Sequence, residues 1–344
     1  MVENSQTLLE IKDLRTSFRI RGKFYAAVDG VSLTIKKNEV FAIVGESGCG
    51  KSAMALSVVR LHNMNYTKIA GEIIFRGTDI LQLKPQDLNE VRGSGIAMIF
   101  QDPLSALNPL HRIGAQIEES LKYHTIMDKT ERKARAIELL THVGMTDPEL
   151  TYSSFPHELS GGMRQRAMIA IAMSAKPDLL IADEPTTALD VTIQAQILNL
   201  MRDLQQETKC SIILITHDLG VVAEIADRVA VMYAGQIVET APVFEIFENP
   251  QHPYTRSLLN SIPSATSEES HLQTIQGMVP GLRDMPREGC RFSHRTPWMP
   301  PDSHQEHPTY HQVGPDHYVL CTCYKSFHFP TDYDYRVLDG LGGS

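Results

Sequence analysis

The first part of the chain alternates between apolar and polar residues from Leu8 to about Asn38. This alternation is clearest at 8–12 and 27–35, and it predicts antiparallel strands that bury one face. Past this region the apolar residues form longer, unbroken runs. We therefore expect an antiparallel β-subdomain at the start of the chain and a different kind of sheet after it.

Three unbroken apolar runs, at 40–44, 179–182 and 211–216, predict strands that are buried on both faces. A helical pattern at 192–208 lies between the last two runs. This strand-helix-strand order is typical of a parallel sheet that helices cover on both sides. The chain is therefore predicted to have an α/β fold.

Changes of pattern also divide the chain. From 102 to 158 the sequence shows helical patterns and no strong strand signal, which predicts a helical insert. The polar stretch at 264–270 predicts a linker, and beyond it Pro, His and Cys accumulate while the hydrophobic periodicity fades. We therefore divide the chain into an α/β domain at 1–263 and a small, loop-rich C-terminal domain at 264–344, with an end that frays after Pro330.

Composition narrows the classes of function. The chain has 344 residues, of which 42% are hydrophobic, enough for a core without disulfides. Its net charge of -9 gives no overall electrostatic reason to bind nucleic acid. It has no apolar run of about 18 residues and no signal-peptide pattern, and its five cysteines favour a reducing compartment. We expect a cytoplasmic protein that reaches membranes only through partners.

A glycine-rich segment follows the first buried run and has the pattern of a phosphate-binding loop. Its residues are Gly45, Glu46, Ser47, Gly48, Cys49, Gly50, Lys51 and Ser52. The glycines allow backbone N–H groups to surround a phosphate, and the helix that follows directs its positive end at the same group. We expect Lys51 to contact the β- and γ-phosphates of ATP and Ser52 to ligate Mg2+. A chance glycine-rich turn is the alternative, but a predicted strand and helix flank this segment.

Polar side chains stand where predicted strands end. Asp183 and Glu184 follow the second buried run, His217 follows the third, and Gln101 follows the apolar run at 96–100. The carboxyl ends of parallel strands form the edge where α/β sheets bind ligands. We expect Asp183 to hold Mg2+ and Glu184 to polarise the attacking water. His217 is expected to contact the γ-phosphate and Gln101 to reach Mg2+ or the water, although each residue alone also fits a structural role.

A second helix start suited to phosphate lies at Ser160, Gly161 and Gly162, just before the helical pattern at 168–175. Because the local phosphate loop already has its own helix, we expect this one to contact nucleotide that a facing subunit holds. An ordinary serine N-cap is the alternative.

The combination resembles the ATP-binding cassette (ABC) ATPases. The shared motifs occur in the family's order: the Walker A loop at 45–52, Gln101, the signature at 159–163, Walker B ending at Glu184, the D-loop at 187–190, and His217. The resemblance implies an ABC-type nucleotide-binding domain that hydrolyses ATP at a dimer interface. It also implies that Asp190 of the D-loop belongs to the nucleotide site and that Phe18 stacks on adenine, with Tyr25 as the alternative aromatic.

Segments 101–109, 155–166 and 249–255 resemble the ATPase subunits of bacterial oligopeptide and dipeptide importers, in particular their D-type subunit. The resemblance covers residues 8 to about 323. It implies an ATPase at the cytoplasmic face of the membrane, paired with a second ATPase subunit in a heterodimer. The further partners implied are two transmembrane permeases and, indirectly, an extracellular peptide-binding protein, with no nucleic acid.

Two other functions compete with this one. A soluble ABC ATPase of DNA repair or translation usually has two cassettes in one chain, long coiled coils or zinc insertions, and none is visible here. A nucleotide-dependent module without turnover would predict damage to Glu184 or His217, and both are intact.

Many relatives of this kind hold an iron–sulfur cluster on four C-terminal cysteines. Here Cys290 and Cys321 match the first and the last, whereas Thr296 and His304 stand at the two middle positions. The alternative ligand set is Cys290, His304, Cys321 and Cys323. Because thiolates are the usual cluster ligands, the sequence favours a small packed C-terminal domain without metal, which folds without iron and contributes packing or partner contacts.

Overall fold

The computed structural model describes residues 6–187, 189–261 and 277–330. The predicted linker at 264–270, the predicted domain boundary after residue 263 and the end beyond Pro330 lie outside the described residues. Within the described ranges, no helix combines the length and apolar character that crossing a bilayer requires.

The strands of the described residues form two sheets. In chain order they are β1 (Thr7–Ile20), β2 (Lys23–Lys36), β3 (Val40–Val44), β4 (Thr67–Phe75), β5 (Thr78–Asp79), β6 (Ile96–Ile99), β7 (Leu179–Asp183), β8 (Ser211–Thr216), β9 (Arg228–Tyr233), β10 (Gln236–Pro242), β11 (Tyr310–Gly314) and β12 (His317–Leu320). One sheet has the order β2-β1-β4-β5 and is antiparallel. The other has the order β11-β12-β10-β9-β3-β8-β7-β6.

In the larger sheet the neighbouring strands β6, β7, β8, β3 and β9 pair in parallel. Strands β10, β12 and β11 continue the sheet beyond β9 and pair antiparallel. Every residue of β3, β7 and β8 is buried, as their unbroken apolar runs predict. The predicted parallel sheet and the antiparallel β-subdomain are both confirmed. The sheet therefore brings the carboxyl ends of β3, β7 and β8 to one edge.

Helices connect and cover these strands. They are α1 (Lys51–Val58), α2 (Pro85–Val91), α3 (Pro103–Ala106), α4 (Ile113–His124), α5 (Lys129–His142), α6 (Pro148–Ser153), α7 (Gly161–Met173), α8 (Val191–Thr208), α9 (Leu219–Ile225), α10 (Val243–Glu248) and α11 (Pro253–Asn260). Between β6 and α7 the chain forms α3 to α6 and a short 3-10 helix at Pro156–Glu158, in line with the helical pattern there. The capping box of Asp128 and Glu131 explains why α5 begins where it does.

The C-terminal segment 277–330 is loop-rich and shares its core with the sheet. Strand β12 pairs with β10, and the fully buried Glu239 of β10 accepts a hydrogen bond from His317 of β12 (2.8 Å). Glu239 also accepts the backbone N–H groups of Gln251 and His252, which precede α11. One buried carboxylate therefore connects three parts of the chain, and each of these bonds lowers the cost of burying its charge.

Arginines of the C-terminal segment attach it to β2 and to the turn after β9. The buried Arg291 pairs with Asp29 and donates to the Ala234 carbonyl, and Arg287 donates to the Ala26 carbonyl (2.9 Å). Two main-chain carbonyl groups and one carboxylate thus hold the C-terminal segment against β2 and the turn after β9. Burial of an arginine requires such partners, because an unpaired buried cation is costly.

Candidate functional site

The glycine-rich loop between β3 and α1 is built by close backbone approach. A Cβ atom at Gly45 would lie 2.2 Å from the Met232 carbonyl oxygen, and one at Gly50 would lie 2.5 Å from that of Ala27. No side chain fits at either position, whereas Gly48 has open space and a φ of 80°. The loop therefore needs its first and third glycines for packing and its second for backbone conformation.

Lys51 and Ser52 begin α1 at the end of this loop. The Lys51 ammonium donates to the carbonyl oxygens of Gly45 (2.6 Å) and Glu46 (3.1 Å), so the charge lies inside the loop. The Ser52 hydroxyl donates to Oδ1 of Asp183 (3.1 Å), at the end of β7. The structure thus brings together two of the three residues that the sequence assigns to Mg2+. The third, Gln101, donates its amide hydrogen bond to Glu184.

The environment of Asp183 suits a cation. The side chain is buried, and burial raises the pKa of its carboxyl group above the ordinary value. A neighbouring divalent ion would favour the charged form that burial penalises. Since a carboxylate and a hydroxyl are the oxygen donors that Mg2+ prefers, the site fits this ion.

Glu184 is the centre of a polar cluster at the same edge. Its Oε2 accepts hydrogen bonds from the Gln101 amide (2.9 Å) and the Thr187 hydroxyl (2.9 Å), while Nδ1 of His217 lies 3.6 Å from Oε1. The backbone of Glu184 has a φ of 48°, a left-handed conformation that a glutamate adopts at some cost. The predicted residues Gln101, Glu184 and His217 therefore do meet, and Oε1 is the oxygen left for a reacting molecule.

The hydrogen bond from Thr187 to Glu184 could not be predicted from the sequence. It leads us to expect an effect of Thr187 on ATP turnover. Thr187→Val should lower ATP turnover about tenfold, because a hydrogen bond to a carboxylate contributes about 1.5 kcal/mol and holds Glu184 in place. Thr187→Ser keeps the hydroxyl and should retain most of the activity. Steady-state phosphate release by both variants tests this, and equal rates would remove the positioning role.

The second helix start lies on the surface. Ser160 is exposed and caps α7, accepting from the Met163 N–H group (3.3 Å), which is the geometry of the alternative interpretation. The same backbone leaves Gly161 exposed beside Leu189, where an added Cβ atom would lie 3.8 Å from Cδ2 of Leu189. Asp190 caps α8 next to it and is also exposed. The Ser160 N-cap and an outward-facing anion site are therefore compatible. The signature at 159–163 also lies next to the D-loop at 187–190. Ala188 of that loop is outside the described residues.

Two predicted nucleotide residues have additional neighbours. Phe18 of β1 packs edge-on against the His62 ring, with centroids 5.2 Å apart, and is paired in register with Tyr25 of β2. Phe18 and Tyr25 thus lie side by side on the β-subdomain, and the choice between them as the adenine contact stays a prediction.

The C-terminal segment supports the phosphate loop directly. Arg295, only 2% exposed at its side chain, forms an ion pair with Glu46 (2.8 Å), and the Glu46 N–H group donates to the Tyr254 hydroxyl oxygen (2.8 Å). Tyr254, Tyr233 and Phe292 pack around this pair as a cluster of aromatic rings. No local sequence signal marks these contacts, because Arg295 is 249 positions from Glu46.

The C-terminal cysteines also come together. The ligand atoms of Cys290, His304, Cys321 and Cys323 all lie within 4.8 Å of one another, and the three cysteines are buried. All five cysteines of the chain are free thiols. The alternative ligand set is therefore assembled by the fold, and the expectation that the domain folds without iron stays a prediction.

Known proteins resemble this chain over most of its length. Residues 28–187 match the family model of the ABC transporter, and residues 238–299 match that of the oligopeptide/dipeptide transporter C-terminal region. The oligopeptide transport ATP-binding protein OppD of Lactococcus lactis subsp. cremoris (strain SK11) is 49% identical over 329 residues, covering 95% of this chain and 97% of its own. The protein of the same name from Bacillus subtilis (strain 168) is 51% identical, covering 91% of this chain and 87% of its own.

Solved structures agree with the fold. A dimeric, post-hydrolysis structure of the ATP-binding cassette MJ0796, bound to ADP and phosphate, has a TM-score of 0.62 and 28% identity, over 69% of this chain and 99% of that one. The α/β fold of this chain agrees with that of the solved cassette. The chain belongs to the ABC transporter ATPases, within the family of oligopeptide transport ATP-binding proteins.

Proposed function

We propose that this chain is the ATP-hydrolysing subunit of a peptide importer. The observation that carries the proposal is the meeting of Lys51, the Ser52–Asp183 pair and Glu184 at one edge of the sheet. The match of residues 238–299 to a peptide-transporter region, and the names of the curated relatives, support peptides as the cargo.

Each residue of the site has its own role in ATP hydrolysis. The loop N–H groups and Lys51 hold the phosphates, and Ser52 and Asp183 would hold Mg2+, an ion that would neutralise developing phosphate charge. Glu184 orients the attacking water at Oε1, because its Oε2 is already engaged by Gln101 and Thr187. His217, beside Oε1, contacts the γ-phosphate and helps to fix the water. The rigid attachment of Oε2 leaves one oxygen, in one position, to take up the proton.

The proposed partners are a second ATPase subunit and two permeases. The exposed start of α7, at Ser160 and Gly161, supports contact with nucleotide on a facing subunit, and the similar cassette MJ0796 was solved as a dimer. The helical region between β6 and α7 also exposes apolar side chains, which suits contact with permeases at the cytoplasmic face of the membrane. These side chains are Leu104, Leu110, Tyr123, Ile126 and Leu150.

A same-chain double variant tests the heterodimer. In the complex with a second ATPase subunit, two nucleotides are expected per pair. Lys51→Ala should remove the one at this chain's loop, and Ser160→Arg should remove the one at the partner's loop. The complex with the double variant Lys51→Ala/Ser160→Arg should therefore retain no nucleotide. The measurement is the number of nucleotides retained per complex. Ser153→Arg, on an exposed serine of α6, is the control and should retain both.

The remaining outcomes distinguish other arrangements. If the double variant retains the same single nucleotide as Lys51→Ala, the signature acts within its own subunit and the dimer mechanism is wrong. If Lys51→Ala alone removes both nucleotides, two copies of this chain form the dimer.

A further inference from the structure

The C-terminal ligand set can be compared with the iron–sulfur cluster that similar segments hold. All four ligand atoms lie within 4.8 Å of one another. Two ligands of one metal ion are separated by at most two bonds, or about 4.6 Å for Zn–S bonds of about 2.3 Å. In a cluster of four irons each ligand binds a different iron, so the iron–iron separation adds to this distance. The set is too compact for such a cluster, and its separations are close to those that a single ion allows.

The histidine is prepared for a metal. The Thr296 hydroxyl donates to the Ser293 carbonyl (3.2 Å), so it accepts from the facing Nε2–H group of His304 (3.3 Å). This contact leaves the lone pair on Nδ1, which is buried and makes no hydrogen bond within the described part of the chain. A buried ring nitrogen without a partner is unusual, and a metal ion supplies one. Thr296 and His304 stand where the cluster pattern has two cysteines. Thr296 thus orients the imidazole of His304 as a ligand.

The sulfur atoms have donors around them as well. The Gln305 N–H group donates to Sγ of Cys321 (3.3 Å). Nδ1 of the buried His252 accepts from the Tyr254 N–H group (3.1 Å), so the proton of this ring lies on Nε2, 4.0 Å from Sγ of Cys323. N–H groups directed at sulfur stabilise a thiolate, which is the form that binds metal.

We propose that Cys290, His304, Cys321 and Cys323 bind a single tetrahedral Zn2+ in place of an iron–sulfur cluster. Three thiolates and one imidazole form a closed set with no position for water, which is the pattern of a structural site. The ion would join three separate loops of the C-terminal segment. It would also fix Cys290 just before the short helix Ser293–Arg295, whose last residue pairs with Glu46 of the phosphate loop. This proposal does not depend on the identity of the transported cargo.

Metal analysis of the full-length chain tests the proposal. Cells should be grown with zinc and iron both supplied, and the protein purified anaerobically. It should then contain one zinc per chain, with no inorganic sulfide and no visible absorption. Exchange with Co2+ should produce the intense visible bands of a tetrahedral thiolate site. Cys321→Ser should lose the zinc, whereas Cys210→Ser, a buried cysteine of a different part of the core, should keep it.

A milder variant separates binding from folding. Thr296→Val removes the hydroxyl that orients His304 and should weaken zinc affinity about 10- to 100-fold in competition with a chelating dye. Stoichiometric iron with sulfide would overturn the proposal in favour of a cluster, and iron without sulfide would overturn the choice of zinc. Metal-free protein whose three C-terminal thiols are freely alkylated in the folded state would exclude a metal site altogether.

Discussion

Replacement of Glu184 by glutamine should leave ATP binding intact and lower turnover by about 100-fold or more. The amide oxygen of the new side chain can still accept from Gln101 and Thr187, so the local structure should persist. Its NH2 group then occupies the place of Oε1 and cannot take a proton from water. The variant therefore removes one chemical step while preserving the shape of the site.

The measurement is phosphate release by the complex, together with ATP affinity of the same sample. Glu207→Gln, an exposed glutamate near the end of α8, is the matched control and should have normal turnover. Turnover like that of the unmodified protein in Glu184→Gln would defeat the role assigned to Glu184.

Replacement of Arg295 by methionine should lower the free energy of unfolding by about 3 kcal/mol. The guanidinium is buried and pairs with a carboxylate that is 28% exposed, so its loss leaves Glu46 without its partner and removes packing against Phe292 and Tyr233. The uncompensated carboxylate then lies in the phosphate loop and should repel the nucleotide. We therefore also expect weaker ADP binding.

Urea unfolding and ADP titration measure the two effects. Arg283→Met, at an exposed position of the same segment, should change neither. Adding Glu46→Gln to Arg295→Met should recover ADP affinity but not the lost packing, which separates charge from stability. Unchanged unfolding and affinity in Arg295→Met would show that the C-terminal segment does not support the loop.

Features encoded by neighbouring residues were predicted from the sequence. The buried strands follow from unbroken apolar runs, and the Ser52–Asp183 contact follows because parallel strands end at one edge. The meeting of Gln101, Glu184 and His217 follows for the same reason. Here short-range pattern and the topology of a parallel sheet together determine which side chains meet.

Contacts between distant segments could not be predicted in this way. Strand β12 has four residues, too few for a periodic signal, and its pairing with β10 depends on the buried Glu239–His317 contact. Likewise, nothing near Arg295 indicates that it reaches Glu46. The tautomer of His304 depends on Thr296, whose importance appears only when the two side chains are seen together.

The position of β3 in the middle of the larger sheet has a consequence for biosynthesis. This strand is made early, yet its neighbours β8 and β9 follow far along the chain, and Val40 bonds to Asp227, 187 positions later. Closing such long loops makes folding slow, and apolar segments of unfinished chains stay exposed. The phosphate loop, which β3 carries, can therefore acquire its final shape only when the ribosome has released most of the protein, so that no half-made chain presents a finished ATP site.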